Sequence, residues 1–133
     1  MLAPDAEELV VKYLSTNGLS NVSVELPANP PMPFYLINRV AGGDDGVTDQ
    51  AIVSVHCFNT THTGASDAAR AMNRLMNFWV LTPRVVVSVG GNNVYIDSVR
   101  TVESPIWRHY SDEFNIHRYV ARYEICLRMN QTT

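Results

Sequence analysis

An α+β fold is predicted for this 133-residue chain: a single domain, a mostly antiparallel mixed sheet of about six strands, and two amphipathic helices packed on one of its faces. Three observations carry this. Two stretches, "DAEELVVKYL" and "ASDAARAMNRLM", repeat apolar residues at helical spacing, and each has only one apolar stripe to bury. Several others alternate residue by residue, most clearly "IHRYVARYEICLR". The strand-like stretches are joined by hairpin-length connections, which favour antiparallel pairing over parallel crossovers.

Pro4 opens the first helix, Asp5, Glu7 and Glu8 suit its positive end, and Gly18 suits its stop. In "NVSVEL" Val22, Val24 and Leu26 alternate with polar residues and predict a short strand. The four prolines of "PANPPMP" forbid ladder pairing, so a stiff extended connector follows. "FYLINRVA" and "TDQAIVSVHCF" read as the arms of a long hairpin around an acidic, glycine-rich hinge. In the second helix Ala65, Ala68, Ala69, Met72, Leu75, Met76 and Trp79 share one face, and Asp67, Arg70, Asn73, Arg74 and Asn77 the other. Past Pro83, "RVVVSV" and "NVYIDSV" form a tight hairpin about "GGNN". "ESPIWRHYSDEFN" reads as an irregular aromatic connector. The last strand follows, with His117, Tyr119, Ala121, Tyr123, Ile125, Leu127 and Met129 on one side and Arg118, Arg122, Glu124 and Arg128 on the other.

A chain that is 46% hydrophobic and 17% charged can bury one modest core. Its net charge of −3 gives no basic footprint for gripping nucleic acid. No apolar run approaches the roughly 20 residues that span a bilayer, and the opening carries acids where a secretory signal carries Lys or Arg. A cytoplasmic protein with no membrane contact is expected. Cys57 and Cys126 fall inside strand-like stretches and are expected to be reduced thiols.

No catalytic or cofactor motif is present: there is no nucleophile elbow, phosphate loop or dinucleotide fingerprint. The hinge acids Asp44, Asp45 and Asp49 lack the alternating ligands and terminal Glu of a calcium loop. His56, Cys57 and His62 lack a fourth zinc ligand, and strand neighbours point to opposite faces. No metal or cofactor is therefore expected. Gly42, Gly43 and Gly46, with Asp44 and Asp45, read as a long hairpin loop over residues 42–49, either solvated or docking on a partner. The stripe Arg118, Arg122 and Arg128, with Glu124, is a wet face or a subunit interface. Trp107 and Tyr110 either cap the core or anchor a partner.

These residues resemble the tail terminator, or tail completion, proteins of long-tailed bacteriophages, especially those of actinobacterial hosts. The matching pieces are "DAEELVVKYL", "PFYLINRVAGG", "TDQAIVSVHCF", "ASDAARAMNRLM", "VYIDSV" and "SPIWRHYSDEFNIHRYVARYEICLR", in order along nearly the whole chain. The resemblance implies a non-enzymatic protein whose copies form a hexameric ring. That ring caps the tail tube, stops its polymerisation and offers a surface to a head-tail connector or neck protein, while DNA passes through the lumen without specific binding. Assembly in the host cytoplasm and a final place in the virion tail are implied as well. Residues 42–49 would then be a docking loop. A neck or head-closure protein of the same virion is the neighbouring reading, and a small α+β enzyme or ligand-binding domain the reading from another class.

Overall fold

The computed structural model describes residues 6–44, 48–81, 87–89, 92–94, 96–110 and 115–128. Helix α1 spans Ala6–Thr16 and buries Ala6, Leu9, Val10, Tyr13 and Leu14, the stripe its spacing predicts. Its end is closed by backbone bonds from Leu19 N–H to the Leu14 carbonyl (3.1 Å) and from Gly18 N–H to the Ser15 carbonyl (3.3 Å). This is a Schellman closure, with Gly18 at the left-handed φ of 106° it requires. Strand β1, Val22–Ser23, is shorter than its alternation suggests and pairs parallel with β2, Phe34–Asp44. Strand β3, Thr48–Asn59, returns antiparallel to β2.

Helix α2 covers His62–Leu81. Thr61 caps it: its hydroxyl accepts from Gly64 N–H at 2.9 Å. Strands β4 (Val87–Val89) and β5 (Asn92–Val94) pair with each other in a ribbon separate from the main sheet, and β4 lies against α1. Strand β6 runs Ile96–Arg108 and β7 runs His117–Arg128. The main sheet thus has five strands in the order β1-β2-β3-β7-β6, antiparallel except at β1.

Both helices lie on one face. α1 covers β1, β2 and β3, and α2 covers β3, β7 and β6. Alternation decides which side chains meet them: Tyr35 and Ile37 from β2, Ala51, Val53, Val55 and Cys57 from β3, and Ala121, Tyr123, Ile125 and Leu127 from β7 join one buried cluster with the helical stripes. At its centre Tyr13 stacks on Trp79 at 4.0 Å between ring centroids. The Tyr13 hydroxyl donates to the Leu75 carbonyl at 2.6 Å, and the Tyr123 hydroxyl to Asn73 Oδ1 at 2.6 Å, so neither phenol is buried unpaired.

Two expectations are corrected. The residues expected as an open loop over 42–49 are largely strand: Gly42 pairs with Ala51, Gly43 with Gln50 and Asp44 with Asp49. The reason is a bulge between Arg39 and Ala41, after which Gly42 sits at φ 107° with its α-carbon so close to the opposite strand that a Cβ would run into the Gln50 carbonyl oxygen. Asp45 and Gly46 lie outside the described residues. The aromatic connector expected from Glu103 is likewise strand as far as Arg108, because bulges around Thr101 to Ile106 absorb Pro105 without ending the ladder.

Candidate functional site

The face of the sheet away from the helices carries most of the polar residues singled out in the sequence. Register places Phe58 across from Arg118, His56 from Val120 and Ser54 from Arg122 on β3 and β7. On β7 and β6 it places Arg118 across from Arg108, Arg122 from Glu103 and Glu124 from Arg100. Four arginines thus share this face with two glutamates, on a chain whose formal net charge is −3. Among the described residues this face thus carries two more arginines than glutamates.

The arginine stripe is not uniformly wet. Arg118 is half-buried, donates from Nη2 to the His109 carbonyl at 2.9 Å, and lies over the Tyr110 ring at 5.5 Å. Desolvation, the largest cause, lowers its pKa. Arg122 is exposed. Glu124 accepts from Arg100 Nε and Nη2 at 3.3 Å each within its own chain. A longer pair joins Arg108 to Glu103 at 3.8 Å. Arg128 pairs with Thr48 in the ladder, and its side chain lies outside the described residues.

His56 was missed as more than a discarded metal ligand. Its Nε2 lies 3.1 Å from Ser54 Oγ. Burial first, then the charges of Arg118 and Arg122, pull its pKa down to about 4, so it is neutral at pH 7. A Ser–His contact invites a catalytic reading, but Ser54 is only 2% exposed and a base of pKa about 4 is poorly matched to proton abstraction at neutral pH. The pair orders the imidazole instead. Cys57, next along the strand, faces the helices, is fully buried, and has its thiol pKa pushed up by desolvation.

The proline-rich segment 26–33 folds over one end of this face. Leu26, Pro27, Pro30 and Met32 rim a notch of about 100 Å³ whose opposite side is Phe58, Tyr110 and Ile116. Tyr110 is 36% exposed and meets Phe58 edge-on at 5.1 Å. Trp107, 45% exposed, stands on the other face of β6 beside the start of α2, 6.3 Å from the rings of His62 and of His109. Both aromatics thus stand at the surface, Tyr110 against the buried Phe58. Among the described residues no group of three or more His, Cys, Asp and Glu side chains is placed to hold a metal ion, and no helix is long and apolar enough to cross a membrane.

The whole arrangement of helices and sheet matches a solved chain from the virion of a native gene transfer agent particle. The fold is shared with a virion component. The likeness covers 92% of this chain and 94% of that one with a TM-score of 0.65, at 12% sequence identity. No protein-family model matches the chain, and no curated protein is similar to it in sequence.

Proposed function

We propose that this chain is a structural component of a phage-like particle, a tail terminator whose copies form a hexameric ring on the end of the tail tube. The supporting observation is the near end-to-end fold likeness to a chain of the gene transfer agent virion. The excess of arginine on one sheet face adds to it. An arginine-rich face on a chain of net charge −3 fits a head-to-tail contact, in which that face of one copy meets acids of the next. Arg122 is the group best placed for that contact. Acidic surfaces left facing the lumen would let DNA pass without tight phosphate contacts.

In this reading the partners are further copies, the tube protein below and a connector or neck protein above. The protein assembles in the host cytoplasm and ends in the virion tail. The end of β2 at Asp44 reaches toward the tube, and Trp107 and Tyr110 mark the surface offered to the next component. Electron microscopy of the purified protein with and without tail tubes tests this. Rings on tube ends and arrested tube growth are expected. Tails of normal length that leak DNA when the protein is missing would move it to a neck or head-closure role, and turnover of a small substrate would overturn both.

A further inference from the structure

Three of the chain's four histidines, His62, His109 and His117, come from separate parts of the sequence and gather beside Trp107. Strand register explains the closest pair. Asn59 and His117 are the terminal partners of the β3–β7 ladder, and α2 begins only three residues after Asn59. The turn between them is fixed, because Asn59 Oδ1 accepts from Thr60 N–H at 2.8 Å and the Thr61 hydroxyl caps the helix. His62 is thereby folded back over the start of β7, its ring 5.8 Å from that of His117 and nearly perpendicular to it at 81°.

The His62 ring is held from one side only. Its Nε2 lies 3.2 Å from the Tyr119 hydroxyl, while among the described residues no hydrogen bond or ion pair engages its Nδ1 or the His117 ring. His62 is exposed and His117 half-buried, so solvent reaches both. Among the described residues no Cys, Asp or Glu completes the pair to a group of three. A donor set of imidazoles without carboxylates suits a borderline transition ion such as Ni²⁺, Cu²⁺ or Zn²⁺, and not Ca²⁺ or Mg²⁺, which take oxygen ligands.

We propose that His62 and His117 bind one divalent transition ion between them, with His62 coordinating through Nδ1 and Tyr119 acting as its positioning residue. Coordination at Nδ1 puts the ring proton on Nε2, which donates to the Tyr119 hydroxyl oxygen and fixes the imidazole, the arrangement that orients most ligating histidines. Two protein ligands leave the other coordination positions to water or to a donor group of an adjoining molecule. The site goes beyond the ring reading and stands whether or not a ring forms.

The test is a titration of the full chain, carrying no affinity tag, with NiCl₂ at pH 7.5, followed by calorimetry and tryptophan fluorescence. One ion per chain is expected, quenching Trp107 and sparing Trp79, because Trp107 lies 6.3 Å from His62 whereas Trp79 is buried in the core. Zn²⁺ should compete and Ca²⁺ should not. Affinity should fall below about pH 6.5, since only the neutral imidazole coordinates. His62→Gln and His117→Gln should each weaken binding by roughly tenfold or more, and Tyr119→Phe, which keeps the ring and removes the hydroxyl, by a similar factor. Circular dichroism of the metal-free variants reports an intact fold. Undiminished binding by either glutamine variant, or several equal weak sites per chain, would mean an adventitious ion only and overturn the site. Competition by Ca²⁺ would overturn the imidazole donor set, and undiminished binding by Tyr119→Phe its positioning role.

Discussion

Arg39 grips Asp49 with both arms of its guanidinium, Nη1 to Oδ2 at 2.8 Å and Nη2 to Oδ1 at 2.7 Å, although the two are not ladder partners. Asp49 is 2% exposed, while the Arg39 side chain keeps 33% of its surface. Removing one partner strands the other in low dielectric. Asp49→Asn is expected to cost about 3 kcal/mol, toward the low end for a buried pair because Arg39 stays partly hydrated. Urea unfolding measures it, and a loss near zero would show that the pair is solvated in solution.

The two hinge glycines should behave oppositely. Gly42→Ala must place a Cβ against the Gln50 carbonyl at a left-handed φ, whereas a Cβ at Gly43 meets nothing. The first is expected to lose about 2 kcal/mol or more and the second under about 0.5 kcal/mol. Equal unfolding midpoints for the two variants would contradict the bulge and its register.

Acid should loosen the fold through His56. Its folded pKa of about 4 lies below the ordinary value of 6.5, so between these pH values the unfolded chain binds a proton that the folded chain does not. Stability therefore rises with pH across that window, is fully present above about pH 6.5, and is lost as pH falls toward 4. His56→Gln keeps a partner for Ser54 and should flatten that part of the curve. Thermal midpoints from pH 4 to 7 would decide, and an unchanged slope in the variant would remove His56 as the cause.

The two tryptophans report different depths. Trp79 is fully buried and Trp107 is 45% exposed. Acrylamide is expected to quench one fraction of the fluorescence readily, and Trp107→Phe to abolish that fraction with little change in stability. Trp79→Ala, by contrast, should cost on the order of 3–5 kcal/mol, since it empties the centre of the core and unstacks Tyr13. Two equally quenched tryptophans would mean the α2 face is not closed.

Charge reversal separates assembly from folding. Arg122→Glu should change monomer stability by under about 1 kcal/mol, because the residue is exposed. The same change puts an acid on the cationic face and should weaken ring formation, read by sedimentation with tube ends present. Arg118 is the wrong residue for this experiment: its bond to the His109 carbonyl and its seat on Tyr110 mean that reversing it also costs the fold. Normal assembly by Arg122→Glu would leave this face merely solvated.

The helical stripes and the buried side of β7 were legible in the sequence because period 3.6 and period 2 run unbroken through them. Where a bulge shifts the period, reading failed. Pro105 and the irregular register after Thr101 hid Trp107 in an apparent connector, and the glycines after Val40 looked like a turn although Gly42 serves a bulge. Asp49 looked like a solvated loop acid because its partner Arg39 is fixed by strand pairing, which no local spacing encodes. Arg118 was singled out for its place on the strand, but its position across from Phe58 emerges only once β3 and β7 lie side by side.

The sheet order places β7, the last described element, between β3 and β6. A nascent chain therefore emerges with its core split in two. The β2–β3 hairpin shows one unpaired edge and β6 another, and neither can close until residues 117–128 have been made. Folding then proceeds by insertion of a central strand, with most of the contacts formed at long range and late. Loss of residues 117–128 would remove the middle of the sheet and leave two sticky edges in place of a smaller domain.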